Sequence, residues 1–272
     1  HVWSDWNKRI LQTADEIIHR LYVNNNLGTT FEQTAVQELG EVDMGDPQSL
    51  VDFIEWSVQN FPAEHYMLVI GSHGGGWRGI GPDDGDGQES MLDLPEIDAA
   101  LATARATLGL GKLDIVGFDA CLMAVSDVAV MLEPHADYVL FSQEVIPSNG
   151  WDYLDSIAAM QDHPDWDSFQ VASVFVDTYM DYYAGAGART KVGLSLVETA
   201  GLPNLLASLE EFSATVGADT AALLSALGTA RNNSQIFGAS LGDRADLYSY
   251  VDLRDFMNWF SLQTTISEDA YN

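Results

Sequence analysis

The sequence reads YMLVIGSHGGGW at residues 66–77 and LDIVGFDACLM at residues 113–123. In each stretch a run of apolar residues leads directly into a short polar or glycine-rich segment. Short runs that are apolar at nearly every position are typical of parallel strands that are buried on both faces of a sheet. His73 therefore follows one predicted strand, and Cys121 follows another.

Helical patterns alternate with apolar runs along the rest of the chain. The predicted strands are Tyr66–Ile70, Leu113–Phe118, Tyr138–Phe141 and Val192–Val197. The predicted helices are Trp6–Tyr22, a helix that begins at Asp46-Pro47 and ends before Pro62, Pro95–Leu108, Cys121–Glu133, Asp167–Tyr182, Leu202–Val216, Thr220–Arg231 and Asp252–Leu262. Strands that alternate with helices build a mostly parallel sheet with helices on both faces. The sequence therefore predicts an α/β fold with three layers, αβα, and a C-terminal part that is wholly helical.

The composition describes an acidic chain with enough apolar residues for a core. Of its 272 residues 47% are hydrophobic, which suits one large α/β domain, and no apolar run is long enough to cross a bilayer. There are 41 acidic and 11 basic residues, for a formal net charge of −30. Such a surface repels nucleic acid and anionic membranes, and it attracts cations and basic peptides. The chain opens without a start methionine or a signal peptide, which is typical of a mature or trimmed form.

Cys121 is the single cysteine, so it cannot form an internal disulfide. A lone cysteine is most often a small buried residue, but functional groups gather at the carboxyl ends of parallel strands. If the two strands are neighbours, His73 and Cys121 face one crevice, and the predicted helix at Cys121 would lower the pKa of the thiol. A thiolate attacks a peptide carbonyl, an imidazole protonates the leaving amine, and the N–H groups of Gly74 and Cys121 can hold the oxyanion.

Four motifs occur in the same order as in a known family. They are LGEVDMGDP at residues 39–47, SHGGGW at 72–77, FDACLM at 118–123 and GWDY at 150–153. Together they resemble the clostripain family of cysteine peptidases. The resemblance implies a caspase-like fold, a thiol endopeptidase that needs no cofactor for its chemistry, and cleavage of peptides or proteins after basic residues, Arg above all with Lys in some members. It also implies a bacterial protein that is secreted or displayed at the cell surface.

Five residues are candidates for substrate binding. Asp119 would pair with a basic P1 side chain, or alternatively cap a helix. Asp152 is a second candidate for this pairing, with an N-cap as the alternative. Trp151 would wall the pocket, or belong to the core. Ser142 and Gln143 follow the third predicted strand, in a region where caspase-like enzymes pair with an extended substrate.

A glycine-rich acidic loop is a candidate calcium site. Asp83, Asp84 and Asp86 lie in the segment DDGDG at residues 83–87, and calcium needs several oxygens on a turn that glycine permits. The spacing of a full EF-hand is not met, and the alternative is an acidic loop over the active site. Clostripain-like enzymes can use calcium, so it is a candidate cofactor.

The resemblance also predicts the domain organisation. Residues 1–200 would form the catalytic core and 201–272 a helical extension packed on it. The family's first core strand is missing or lies outside this numbering, because Trp6-Asn7 matches the end of that strand. Members often mature by self-cleavage after a basic residue, but Pro82–Glu96 holds no Lys or Arg, so self-cleavage there is excluded. The alternative function is a catalytically silent or latent protein of this fold that acts in binding or at the cell surface.

A second motif points to a different hydrolase and is rejected. Gly238–Gly242 reads GASLG and matches the G-x-S-x-G nucleophile turn of α/β-hydrolases. That fold places its base histidine after the nucleophile in the chain. The last histidine here is His163, so Ser240 has no partner in the required order.

Overall fold

A computed structural model describes residues 18–22, 35–83, 90–185, 192–238 and 250–264. The described elements, in chain order, are β1 (Ile18–Leu21), β2 (Ala35–Gly40), α1 (Pro47–Asn60), β3 (Met67–Gly71), a 3₁₀ turn (Gly76–Arg78), β4 (Ile80–Asp83), β5 (Ser90–Leu92), α2 (Leu94–Leu108), β6 (Leu113–Asp119), α3 (Ser126–Leu132), β7 (Ala136–Phe141), α4 (Tyr153–Asp162), α5 (Ser168–Gly185), β8 (Ser195–Glu198), a second 3₁₀ turn (Thr199–Gly201), α6 (Leu202–Ala218), α7 (Thr220–Asn233), β9 (Ile236–Phe237), β10 (Tyr250–Val251) and α8 (Leu253–Gln263).

The central sheet has four described strands in the order β3–β6–β7–β8. The first three are parallel, and β8 runs antiparallel to β7. All four predicted apolar runs therefore lie in one sheet. The prediction of a mostly parallel α/β sheet is confirmed.

Helices cover both faces of this sheet. Leu68 and Ile70 of β3 lie in a core that also contains buried residues of α1, α2 and α3. Met67 and Val69 point to the opposite face and border a second core, built on α5. This alternation follows from the two-residue repeat of a strand. Because burial of each large apolar side chain contributes about 1.5–3 kcal/mol, both faces stabilise the sheet.

Two helices on the first face, α1 and α2, begin where the sequence predicts. Asp46 caps α1 through a hydrogen bond from Gln48 N at 2.9 Å, and Pro47 occupies the first turn. Asp93 and Glu96 form a reciprocal capping box at the start of α2. These caps satisfy backbone N–H groups that have no partner inside the helix.

The prediction of a helix over Trp6–Tyr22 is wrong for its last part. Ile18–Leu21 is a strand that pairs antiparallel with β2, and Ile18 is buried. Pairing with a distant segment overrides the helical spacing of these residues. Residues 6–17 lie outside the described part of the chain.

The C-terminal part is mostly, but not wholly, helical. Phe212, Ala226, Ala230, Phe256 and Phe260 of α6, α7 and α8 form a third apolar cluster. Leu202, at the start of α6, belongs instead to the core on the first face of the sheet. The short strands β9 and β10 pair antiparallel, which corrects the prediction that only helices follow Leu202.

Candidate active site

The register of the sheet brings the His73 and Cys121 segments to the same edge. Gly71 pairs with Asp119 at the carboxyl ends of β3 and β6, and Ser72 N donates to Asp119 O at 3.3 Å. His73 and Cys121 each stand two residues beyond this last pair. Neighbouring strands lie about 4.8 Å apart, so the two segments leave the sheet side by side, as predicted.

Gly74 shows how closely the two segments approach. A Cβ atom built on Gly74 would lie 2.3 Å from Cys121 O and 3.0 Å from both Cγ and Sδ of Met123. These distances leave no room for any side chain at residue 74. The glycine after His73 is therefore required by the contact between the two segments.

A tight hairpin carries His73, whose side chain is exposed. Gly75 N donates to Gly79 O at 2.9 Å and Gly81 N donates to His73 O at 3.0 Å. These bonds flank the pair Gly74–Ile80, so the N–H of Gly74 is turned away from the hairpin ladder. The sequence predicts that this N–H holds the oxyanion.

The segment after Cys121 is not a helix, and this corrects a prediction. Helix α3 begins at Ser126, and Leu122 adopts a left-handed backbone with φ 63° although it carries a side chain. Leu122 N donates to Glu144 O at 3.2 Å, and Ala124 N donates to Ser142 O at 2.9 Å. Hydrogen bonds to the segment after β7 replace helical ones, so no helix dipole acts at Cys121.

The Cys121 thiol is partly buried and held by one residue. Ile146 N donates to Sγ at 3.3 Å, and Sγ lies 3.7 Å from Ile146 O. Burial raises the pKa of Cys121, the charges of Asp119 and Glu144 raise it further, and the bond from Ile146 N lowers it. The predicted lowering of this pKa is therefore wrong, because the raised pKa favours the neutral thiol.

Asp119 projects from the end of β6 into a buried site. Its Oδ2 accepts from Trp151 N at 3.1 Å and from Tyr153 Oη at 2.9 Å, while its Oδ1 is buried and has no hydrogen-bond partner among the described residues. Burial raises the pKa of Asp119, and these two hydrogen bonds lower it. A buried carboxylate oxygen without a partner is costly, and a cationic side chain would satisfy it.

Trp151 and Asp152 make the contacts that a structural role requires. Trp151 is buried against Phe175, and a Cβ atom at Gly117 would lie 2.7 Å from its ring. Asp152 caps α4 by accepting from Asp155 N at 3.2 Å. Trp151 nevertheless lies beside Asp119 through its backbone bond, whereas the carboxylate of Asp152 is engaged at the helix end.

Ser142 and Gln143 lie beside the Cys121 segment. Ser142 is fully buried, and its Oγ donates to Glu144 O at 2.8 Å and accepts from Glu144 N at 3.0 Å. Gln143 Oε1 accepts from Ser195 Oγ at 3.0 Å. The side chain of Ser142 thus shapes a turn, and that of Gln143 joins the turn to β8.

Four residues of this site were not among the sequence candidates: Glu144, Ile146, Tyr153 and Tyr250. Ile146 contacts the thiol, and Tyr153 contacts Asp119. Tyr250 Oη donates to Gly75 O at 2.8 Å across 175 residues of chain. Tyr153 ends the GWDY motif and Glu144 directly follows Gln143, whereas no local pattern at Ile146 or Tyr250 indicates chemistry.

The predicted calcium loop lies largely outside the described residues. Asp84 and Asp86 are not described, and neither is the side chain of Asp83. Within residues 18–22, 35–83, 90–185, 192–238 and 250–264, no group of three or more His, Cys, Asp or Glu could hold a metal ion. No helix among these residues is long and apolar enough to cross a membrane.

The order of the motifs and the geometry of the site agree with a match to a known family. Residues 5–272 match the peptidase family described as the clostripain family. The chain belongs to the clostripain family. The resemblance drawn from the four motifs is therefore confirmed over nearly the whole chain.

Individual relatives in the clostripain family are more distant. Clostripain from Hathewaya histolytica is 30% identical over 141 residues, which make up 45% of this chain and 26% of the relative. This chain therefore spans about a quarter of the length of that curated relative.

Solved structures of C11 proteases share the fold. A secreted C11 cysteine protease from Bacteroides thetaiotaomicron, in complex with an irreversible peptide inhibitor, has a TM-score of 0.58 at 23% identity and covers 70% of this chain and 55% of its own. An inactive zymogen C11 protease from Parabacteroides distasonis has a TM-score of 0.66 at 21% identity, with 94% and 65% covered. The caspase-like αβα prediction is thereby confirmed.

Proposed function

We propose that this chain is a cysteine endopeptidase that cleaves after basic residues, with Cys121 as nucleophile and His73 as its proton-transfer partner. The observation that carries the proposal is the placement of both residues two positions beyond the Gly71–Asp119 pair of neighbouring parallel strands. Membership of the clostripain family supports the reaction class.

The raised pKa of Cys121 favours a neutral thiol before attack, and this sets the proposed order of the proton transfers. Because the pKa of Cys121 is raised, His73 would first take the Sγ proton as the sulfur attacks the carbonyl carbon. The N–H groups of Gly74 and Cys121 would hold the oxyanion. His73 would then protonate the leaving amine, and water would hydrolyse the acyl-enzyme with His73 again as base.

Asp119 is the proposed partner of the basic P1 side chain. Its Oδ1 is buried and lacks a partner among the described residues, so it would accept a charge-assisted hydrogen bond from an ammonium or guanidinium group once the residues that cover it move aside. Trp151 would form the wall behind this carboxylate, and Gln143 would stand next to the extended substrate. The net charge of −30 would attract basic substrates from a distance.

Removal of the nucleophile tests the proposal directly. Fluorogenic peptides with Arg, Lys, Asp or Leu at P1 should be cleaved after Arg and Lys, and C121A should abolish that cleavage. D152N is the matched carboxylate control for D119N, because Asp152 caps α4. Undiminished cleavage by C121A would end the hypothesis, and equal losses in D119N and D152N would remove Asp119 from the specificity role.

A latent form is the second candidate, and it has an observation of its own. Both the N–H and the carbonyl of Ile146 lie within hydrogen-bond distance of the thiol. Tyr153 likewise occupies one oxygen of Asp119. If the chain is latent, an Arg chloromethylketone will label Cys121 only after an activating protease has acted. Intact-mass measurement before and after that treatment separates latency from inactivity.

The proposed setting is outside the cytoplasm. One structural relative is described as a secreted protease of Bacteroides thetaiotaomicron. Calcium remains a candidate cofactor of the loop that contains Asp84 and Asp86. Activity measured with and without a calcium chelator tests that assignment.

A further inference from the structure

The short β9–β10 ladder contacts both segments of the candidate active site. Tyr250 Oη, from β10, donates to Gly75 O at 2.8 Å in the His73 hairpin. Gly238 N, which directly follows β9, donates to Glu144 Oε1 at 3.2 Å beside the Cys121 segment. These contacts bridge 175 and 94 residues of chain, so neither arises from local folding.

The two contacts come from neighbouring positions of one small unit. Tyr250 pairs with Phe237, and Val251 pairs with Ile236. Gly238 is therefore next in the chain to the partner of Tyr250. Asp252 N donates to Gln235 O at 2.9 Å and extends the ladder by one bond. A displacement of this ladder would therefore disturb its contacts with the His73 hairpin and with the Cys121 segment together.

On the histidine side, the ladder holds backbone rather than a side chain. Both backbone polar groups of Gly75 form hydrogen bonds, because its N–H donates to Gly79 O and its carbonyl accepts from Tyr250 Oη. At Gly76 a Cβ atom would lie 2.3 Å from Tyr250 Oη, so the phenol packs directly on the glycine backbone. The hairpin that carries His73 is thereby restrained from outside its own ladder.

On the cysteine side, Glu144 relays the contact. Its Oε1 accepts from Val145 N at 2.9 Å as well as from Gly238 N, and its backbone oxygen accepts from Leu122 N at 3.2 Å. Glu144 is buried. Burial of a carboxylate is costly unless hydrogen bonds satisfy it, so a buried glutamate between Gly238 and Leu122 is well suited to fix the residue that follows Cys121.

We propose that the β9–β10 ladder positions the two catalytic segments relative to each other, with Tyr250 and Glu144 as its positioning residues. This inference rests on the proposed function, since the two segments matter together only if His73 and Cys121 act on one bond. The hydrogen bonds described above for the side chains of Tyr250 and Glu144 go to backbone groups, which is the pattern of a positioning residue.

The test on the histidine side compares Y250F with Y66F. Tyr66 Oη also bonds a backbone group, accepting from Ala63 N at 2.7 Å, but it precedes β3 at the opposite edge of the sheet. Loss of a positioning contact should lower kcat by roughly 10–100-fold, with KM changed by less than about twofold. Y66F should stay within about twofold of the unmodified chain in both constants. Equal kcat values for Y250F and Y66F would overturn the inference.

The test on the cysteine side compares E144A with E144Q. Glutamine keeps an oxygen that can accept from Gly238 N, whereas alanine removes it. E144Q should therefore recover most of the kcat that E144A loses. Equal losses in both variants would show that Glu144 acts through its charge rather than as a tether, and would remove it from the proposal.

A measurement that needs no peptide cleavage separates the positioning role of the β9–β10 ladder from the proposed function. Amide hydrogen exchange over residues 72–79 should be faster in Y250F than in Y66F, whether or not the chain cleaves any peptide. If the unmodified chain cleaves no peptide, even after treatment with an activating protease, while this difference is found, then the proposed function fails and the restraint of the His73 hairpin by Tyr250 stands. If exchange in Y250F equals that in Y66F, the proposal that Tyr250 restrains the His73 hairpin fails, whether or not the chain cleaves peptides.

Discussion

The contact between Gly74 and the Cys121 segment gives the sharpest prediction. Gly74 has no left-handed φ, so alanine is compatible with the backbone conformation there. The added Cβ atom would nevertheless lie 2.3 Å from Cys121 O. G74A therefore tests the close approach of the two segments without adding backbone strain.

The magnitude follows from this distance. Ordinary contact begins at 3.4 Å, so the two segments must separate by about 1.1 Å to accept a methyl group at 2.3 Å. A displacement of about 1 Å in a catalytic arrangement can lower the rate by about 100-fold, equivalent to about 2.7 kcal/mol in the activation free energy. Overpacking would also lower the free energy of unfolding by about 1–3 kcal/mol.

The assay measures kcat/KM on a peptide with Arg at P1, together with the thermal midpoint of unfolding. G71A is the matched control, because a Cβ atom at Gly71 would have its nearest neighbour at 3.9 Å, in ordinary contact. G74A should lose activity about 100-fold while G71A keeps it. The reasoning is refuted if G74A retains activity within about threefold, or if G71A loses as much.

Three further predictions concern the thiol, the specificity pocket and the core. The charge of Glu144 raises the pKa of Cys121, so E144Q should shift the pH dependence of iodoacetamide reaction at Cys121 to lower pH; an unchanged or upward shift contradicts this. D119N should lower cleavage after Arg and Lys by about 10–100-fold relative to cleavage after Leu, as expected for loss of a charged hydrogen bond; an unchanged ratio excludes the pairing. G117A should lower the free energy of unfolding by about 1–3 kcal/mol, because its Cβ atom would lie 2.7 Å from the ring of Trp151; urea denaturation measures this, and an unchanged value shows that the ring moves freely.

The strands of the central sheet could be predicted because the buried apolar residues of each strand are nearly consecutive in the sequence. Tyr66–Ile70 and Leu113–Phe118 are apolar at nearly every position, which only a strand covered on both faces requires. The parallel order then places His73 and Cys121 at one edge. This part of the site depends on local pattern and on one general rule of sheet topology.

The conformation after Cys121 could not be predicted in this way. Leu122, Met123 and Ala124 favour a helix by local propensity, and yet Leu122 is left-handed. Its N–H and that of Ala124 bond to Glu144 and Ser142, about 20 residues away. No local signal reports these partners, because they depend on how β7 ends beside β6.

The hydrogen-bond partners of Asp119 likewise could not be predicted, because they are distant in the sequence. Its hydrogen bonds come from Trp151 and Tyr153, more than 30 residues away. The position of Asp119 at a strand end predicted that it lies near Cys121, but not that its side chain is largely buried. Contacts from β10 to the His73 hairpin cross most of the chain, which no periodic pattern can encode.

The absence of the predicted helix at Cys121 matters more for the pKa of the thiol than for the fold. A helix that began at Cys121 would have stabilised the thiolate before the substrate arrived. In the observed arrangement burial and two nearby carboxylates favour the neutral thiol, and hydrogen bonds from the backbone of Ile146 and of Cys121 itself oppose them. Under the proposed function, activation would come from proton transfer to His73 during attack, or from a substrate cation that neutralises Asp119 and so removes one of the charges that favour the protonated sulfur. In the second case a basic P1 residue would be selected twice, once by binding at Asp119 and once by its effect on Cys121.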